Sequence, residues 1–308
     1  MFVELHIVQQ FAPSNLNRDD TGAPKDCEFG GYRRARISSQ CLKRAMRRDP
    51  GFARFLESCG GSYRTRRLII EIAERMSGRT PAPAAVSKVV SEAFKEGGVE
   101  RPTKEQGKEE HDHTKPILFR DALQGGDTGA RSAAVTELGK LLVDSAKVPD
   151  VALFGRMIEV GGSTPFGKLN LRVNAASQVA HAISTHKVSV EFDFYTAVDD
   201  LLPSEETGAG MMGTVEFNSA CFYRYANVDL AELARNLGGD EELARATLEA
   251  YLRAAVSAVP TGKQNSMAAQ NPPSFVFAVA REAGLWSLAN AFAKPVWVGQ
   301  SGDLVQQS

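Results

Sequence analysis

Four cysteines in 308 residues, Cys27, Cys41, Cys59 and Cys221, form no CxxC pair. Such spacing suggests neither a zinc site nor a disulfide framework and fits scattered reduced thiols. No apolar run approaches the roughly 20 residues of a membrane-spanning helix. The start, Met1-Phe2-Val3-Glu4-Leu5, alternates and lacks a basic leader. With 43% hydrophobic residues and a mean hydropathy of -0.23, a globular cytoplasmic protein without a membrane partner is expected. No G-x-S-x-G nucleophile signature is present. His111-Asp112-His113 lies in a mixed-charge run, and His181 and His186 lack the i, i+4 spacing of a helical metal pair. No metal and no cofactor are expected.

Charge of one sign is also missing overall, because the formal net charge is only -1. It is concentrated in one place. From Arg33 to Arg48 there are seven basic side chains and no acidic one. An ordinary solvated helix face intersperses Glu and Asp; this run does not. It also begins at Ser38-Ser39, where open helix amides can hold a phosphate. A polyanion backbone is the partner this composition favours.

The pattern along the chain is mixed. Phe2 to Gln10 alternates, with Val3, Leu5 and Ile7 on one face, and reads as a strand. Pro13 to Lys25 is a turn-rich loop. Ser38 or Ser39 should cap a helix through Arg48, stopped by Asp49-Pro50-Gly51. On it Lys43 and Arg47, and Arg44 and Arg48, stand at i, i+4, with Leu42, Ala45 and Met46 on the buried side. Ser62 to Met76 and Ala130 to Leu142 read as helices flanking a Pro-, Gly- and charge-rich exposed insertion. Lys187 to Phe194 is the clearest strand, Val188, Val190, Phe192 and Phe194 alternating with polar residues. Thr196 to Gly213 is a Gly-rich loop, and Thr214 to Ala226 a further strand. Asp229 with Glu232 makes a capping box for a short helix ending at Gly238-Gly239. Asp240 to Val259 is a long amphipathic helix, and Ser274 to Ala280 a last strand. The order is the β-α-β-β-α-β plan of α+β, ferredoxin-like folds, which include RRM-type RNA binders.

Other clusters carry less. Asp19-Asp20 and Asp199-Asp200 are paired carboxylates of the kind two-metal nucleases use, but they sit in turns, where capping is commoner. Met157 and Tyr195 are candidate wedges or stacking platforms for bases, each more often a core residue when taken alone. Lys263-Gln264-Asn265 lies in a polar loop.

The strings Ser14-to-Gly22, Phe29-to-Arg48, Ala152-to-Met157, Ala180-to-Asp200, Phe217-to-Gly239 and Pro260-to-Pro272 together resemble the CasC family, the backbone subunit of the type I-E CRISPR surveillance complex Cascade. The resemblance implies a right-hand shape: an RRM-like palm from 1–60, 151–194 and 214–308, a helical finger insertion at 61–150 and a thumb loop at 195–213. It implies a non-enzyme whose copies stack head to tail along a CRISPR RNA and present its bases to target DNA. The implied partners are also the large, small, 5'-handle-capping and RNA-processing subunits and a recruited helicase-nuclease. Carried over by position, Arg18, Lys25, Ser38, Gln40, Lys43 and Arg47 contact the RNA backbone. Met157, Tyr195 and Thr196 wedge at a flipped base, and Lys263 and Gln264 lie near the RNA. Members of that family usually run several dozen residues past the position of Ser308. The alternative is a metal-dependent ribonuclease using thumb-loop Asp199 and Asp200.

Overall fold

The computed structural model describes residues 1–60, 74, 90–95, 135–136, 139–140, 142–144, 147–158, 169, 171–197, 211–297 and 304–308. The chain divides into two compact units: Met1–Phe55 with Ser177–Ala234 and Glu241–Ser308, and Leu56–Ala176 with Arg235–Asp240. Apart from Glu74, which is helical, the expected helix at Ser62 to Met76 lies outside the described residues, as does the thumb loop centre.

The first unit is built on an antiparallel sheet. Its strands are β1 (Phe2–Ser14), β2 (Asp26–Phe29), β3 (Tyr32–Ile37), β4 (Ser177–Val179), β5 (Ala182–Ser184), β6 (Glu191–Ala197), β7 (Met211–Asp229) and β8 (Phe275–Arg281). The order across the sheet is β2-β3-β5-β7-β1-β8, with β4 and β6 also on β7. Helices α1 (Ser39–Arg47), α2 (Pro50–Ser58), α3 (Pro149–Phe154), α4 (Leu230–Asn236), α5 (Glu241–Ser257), α6 (Gln264–Met267) and α7 (Leu304–Gln307) complete the described elements. Along the chain β1, α1, β5, β7, α5 and β8 follow the β-α-β-β-α-β order, and the four strands lie side by side as β5-β7-β1-β8.

β1 and β7 pair from Phe2↔Asp229 to Phe11↔Ala220. Both faces of the pair are covered, so β1 is more than the half-buried strand its alternation implied. On one face Leu5 and Ile7 meet Leu42 and Met46 of α1 and Ala255 of α5 around a small void. Arg224 is on that face, fully enclosed, and donates to Gln9 Oε1 and the Ala255 carbonyl, both at 2.6 Å. Burial pulls its guanidinium down to about 10, which leaves it charged at neutral pH. On the other face His6, Tyr223, Tyr225 and Phe292 pack together.

That second face is closed by the segment from Trp286 to Val296, which contains a 3-10 turn at Leu288–Phe292. Polar groups hold it down. The Trp286 amide donates to Glu4 Oε2 and the Leu288 amide to the Tyr223 hydroxyl, each at 2.8 Å. Arg34 fixes its far end, donating to the carbonyls of Phe292 (2.6 Å), Ala293 (3.2 Å) and Ser184 (3.1 Å). The Gly30-Gly31 turn joining β2 to β3 runs beside it. Gly30 has φ +63°, and a Cβ there would come 1.9 Å from the Ala293 carbonyl oxygen. The β2–β3 hairpin was not read from the sequence. β6 starts at Glu191 rather than Lys187, and Phe192 and Phe194 are exposed. Their alternation marks a strand that, among the described residues, pairs only with β7, at Glu191↔Phe217 through Ala197↔Met211, and not a core face.

In the second unit α3 buries Ala152, Leu153 and Phe154. Arg156 follows it and donates to the carbonyls of Leu142 (2.7 Å) and Leu171 (3.0 Å). Asn236 ties the end of α4 to the carbonyls of Ala152 and Asn174.

Two outcomes follow from the buried polar groups. Arg34→Met should destabilise the fold by roughly 3 kcal/mol, because four carbonyls, that of Phe29 (3.3 Å) included, lose a charged donor; urea denaturation measures it, and a loss under about 1 kcal/mol contradicts the anchoring role. The second concerns acid. Burial holds the His6 imidazole below its ordinary 6.5. For Glu4, burial raises the carboxyl, but the Tyr225 hydroxyl, the Trp286 amide and Arg281 outweigh it and hold the group below 4.5. Groups depressed in the folded state add stability above their unfolded values and lose it as pH falls through the folded ones. The urea midpoint should therefore fall as pH drops below about 6.5 and fall again below about 4.5. His181 and His186 are depressed by burial too, so His6→Asn should shallow the first limb without abolishing it. An unchanged limb in that variant would refute the assignment.

Candidate nucleic-acid interface

Ser38 begins the site. It caps α1: its Oγ accepts the Cys41 amide at 3.3 Å, and its own amide donates to Asn17 Oδ1 at 2.7 Å. This ties the loop from Asn15 to Lys25 onto the helix start. The same loop is stitched to β3, since the Lys25 amide donates to the Asn17 carbonyl and the Arg36 amide to the Lys25 carbonyl. Ser38 is itself buried, so its acceptor role serves the helix and the exposed polar group beside it is Gln40. The amides of Ser39 and Gln40 are the ones left open at the helix start.

Asp19 is explained by the loop. Its Oδ1 accepts the Thr21 amide (2.9 Å), the Thr21 hydroxyl (2.7 Å) and the Ala23 amide (3.0 Å). The Thr21 hydroxyl leads the groups holding its carboxyl below the ordinary range. That is an Asx-type turn. Among the described residues no group of three or more His, Cys, Asp or Glu side chains is arranged to hold a metal ion. Asp199 and Asp200 lie outside the described residues.

A second loop closes on the first. Gly262 approaches so tightly that a Cβ would stand 2.3 Å from the Leu16 carbonyl oxygen and 2.7 Å from that of Asn15. Lys263 follows in the left-handed region at φ +51°. Gln264 donates to the carbonyls of Pro260 (3.0 Å) and Ala269 (3.1 Å), which folds the loop around its side chain. Gln264 Oε1 is left buried without a partner.

The seven cations of the Arg33-to-Arg48 run divide into two kinds. Arg34 is fully buried. Arg33 pairs with Asp26, and Arg36 donates to the Asp26 carbonyl and meets His181. These three hold the fold. The other four are on α1 and its C-terminal cap, where successive residues step about 100° around the axis. Leu42, Ala45 and Met46 are buried beneath it. Gln40, Lys43 and Arg47 share one flank, and Cys41, Arg44 and Arg48 the other. Among the described residues Arg18, Lys25, Arg44, Arg48 and Lys263 form no ion pair with a carboxylate. Arg18, Arg44 and Arg48 of this set line one cleft together with Asp19, Asp20 and Asp49.

Two of the candidate base-contacting residues, Met157 and Tyr195, are exposed rather than core. Met157 is 76% exposed and belongs to the second unit, directly after Arg156. Tyr195 is 40% exposed on β6, with its ring against its cross-strand partner Gly213. Thr196 is in β6 as well, paired with Met212. Phe192 and Phe194, at 67% and 64%, add an apolar surface that the alternation by itself had assigned to no solvent-facing role. No helix among the described residues is long and apolar enough to cross a membrane.

The sequence profile of the CT1975-like protein family matches residues 3–308. A chain of a solved "CRISPR RNA-guided surveillance complex, pre-nicking" is 32% identical, with a TM-score of 0.74 over 99% of this chain and 85% of its own. A chain of a second "CRISPR RNA-guided surveillance complex" is 29% identical, with a TM-score of 0.60 over 99% and 79%. Among curated proteins none matches.

The contact at Gly262 gives a test of the site. Gly262→Val should push Lys263 away from the Asn15–Gly22 loop. Binding of single-stranded RNA, followed by fluorescence anisotropy across a salt series, should lose about one ionic contact, ~0.7 in log–log slope. A slope equal to that of the parent protein would remove the loop from the interface.

Proposed function

The chain belongs to the CT1975-like protein family, and from that premise we propose that it is a backbone subunit of a CRISPR RNA-guided surveillance complex of the Cascade kind. One observation carries the reading. A chain of such a complex matches 99% of this one at 32% identity. Cations of this chain on α1 and the two loops that close on it, exposed at Arg18, Arg44 and Arg48 and half-buried at Lys25, Lys43, Arg47 and Lys263, support it.

In this reading the sheet unit is the RRM-like palm, the β6–β7 hairpin the base of the thumb, and residues 61–150 the fingers. Lys25, Gln40, Lys43, Arg47 and Lys263 hold guide-RNA phosphates. Ser38, Gln264 and the Arg18 loop shape the surface that carries them. Tyr195, with its exposed ring, and Met157, an unbranched apolar side chain in solvent, separate or stack on a displaced base. Thr196 is beside Tyr195. The contacts are to backbone and shape, so sequence is read by pairing between guide and target DNA, not by the protein. Copies assemble head to tail on the RNA alongside the other Cascade subunits, and a recruited helicase-nuclease does the cutting. The subtype proposed is I-E, with this chain in the CasC role.

Co-expression with a CRISPR array tests this. The purified chain should carry RNA of defined length and elute as a multimer whose stoichiometry tracks that length. The same preparation should leave a complementary RNA uncut with Mg2+ present. Purification as an RNA-free monomer from cells that express the array would contradict the proposal, and metal-dependent cleavage abolished by Asp199→Ala with Asp200→Ala would contradict the non-catalytic part.

A further inference from the structure

We propose that the flank of α1 facing away from Lys43 and Arg47 is a second, separate seat for single-stranded nucleic-acid phosphates, built by Arg18, Arg44 and Arg48. This rests on the RNA-binding reading above and extends it to Arg44 and Arg48, which that reading leaves out, beside the loop that carries Arg18.

The observation is an open cleft of about 760 Å³ in the sheet unit, between the Leu16–Gly22 loop, α1, the end of α5 and Pro260–Gly262. Its volume is within the range of ligand-binding clefts, roughly 300–1,000 Å³. Three guanidiniums and three carboxylates line it: Arg18, Arg44, Arg48, Asp19, Asp20 and Asp49. A formal count is neutral, but the carboxylates are not equivalent. Asp19 accepts three donors from its own loop. Asp49 accepts the amides of Gly51 and Phe52 at the start of α2 and the Ser257 hydroxyl. Only Asp20 is uncommitted, while the three arginines have no carboxylate partner among the described residues.

The ligand class follows from arrangement. Arg44 and Arg48 stand one helical turn apart, about 6 Å along the axis. That is a step comparable to the one between successive phosphates of an extended strand. Guanidinium forks suit phosphate oxygens. The cleft also shares a wall with the first site, because the loop carrying Arg18 is the one that holds the Ser38 amide and Lys25. A strand crossing the start of α1 can therefore touch both flanks. An acidic protein segment would need no such continuity.

Anisotropy titrations of the full chain with a labelled single-stranded RNA of mixed sequence, across a salt series, are the test. Arg44→Ala with Arg48→Ala should flatten the log–log slope by about 1.4, and Lys43→Ala with Arg47→Ala by a similar amount. Combining all four should flatten the slope more than either pair alone, because each pair removes its own phosphate contacts. Asp20→Asn removes the opposing charge without deleting a cation and should tighten binding roughly two- to fivefold. In the unsubstituted protein, saturating RNA should slow alkylation of Cys41, which lines the cleft, relative to Cys59. If the Lys43/Arg47 pair changes the slope while the Arg44/Arg48 pair and Asp20→Asn do not, and Cys41 is unprotected, this inference fails and the functional proposal stands. It fails in the same way if the Arg44/Arg48 pair alters only self-association, which would mark the cleft as a seat for an acidic protein segment. If the parent protein binds no RNA at all, both fall.

Discussion

The antiparallel ladder between β1 and β7 is the constraint that organises the first unit. It is buried on both faces, so each polar side chain within it must find a partner inside the protein. Arg224 takes Gln9 and a helix carbonyl, Tyr225 takes Glu4, and His6 takes Tyr223. Those pairings reach outward. Arg224 draws α5 onto one face, while Glu4 and Tyr223 receive the amides of the 286–288 segment on the other. Loss of register would invert both faces at once.

Positive charge shows how one composition serves two ends. Arg34 and Arg224 are enclosed and answered mainly by carbonyl and amide oxygens, which satisfy donors without bringing in a second buried charge. Lysine could not replace them, since it lacks the planar fork that reaches several acceptors together. Of the cations on α1 and its neighbouring loops, Arg18, Arg44 and Arg48 are exposed and Lys25, Lys43, Arg47 and Lys263 half-buried. The rigidity of that surface comes from small, uncharged details: the Asn17–Ser38 bond, the Asp19 turn and the Gly262 contact. Binding of a flexible polyanion gains from such preorganisation, because the protein has little ordering left to do.

Much of the architecture was legible in the chain. The α1 cap at Ser38, its buried residues Leu42, Ala45 and Met46, the Asp229 cap of α4 and the limits of α5 within two residues all follow from local rules, and local rules are what a sequence states directly. The β2–β3 hairpin escaped because its strands are short and charged, and the carbonyls that Arg34 holds belong in part to a segment some 260 positions away. β6 was misplaced for a related reason. Val188 is buried, its amide bonded to the Arg33 carbonyl, whereas Phe192 and Phe194 continue the same alternation into solvent. Period alone cannot say where cover ends.

Residue order was enough to establish the concentration of positive charge at Arg33 to Arg48, the helix that carries its second half, and the succession of strands and helices, because each depends on neighbours within a few positions. Which of those cations are available to a ligand came from the folded chain instead. Whether an arginine meets a carbonyl, a carboxylate or open solvent depends on segments far away in the sequence, and that separated the enclosed Arg34 and the strand-bound Arg33 and Arg36 from the cations of α1, of which Arg44 and Arg48 are exposed.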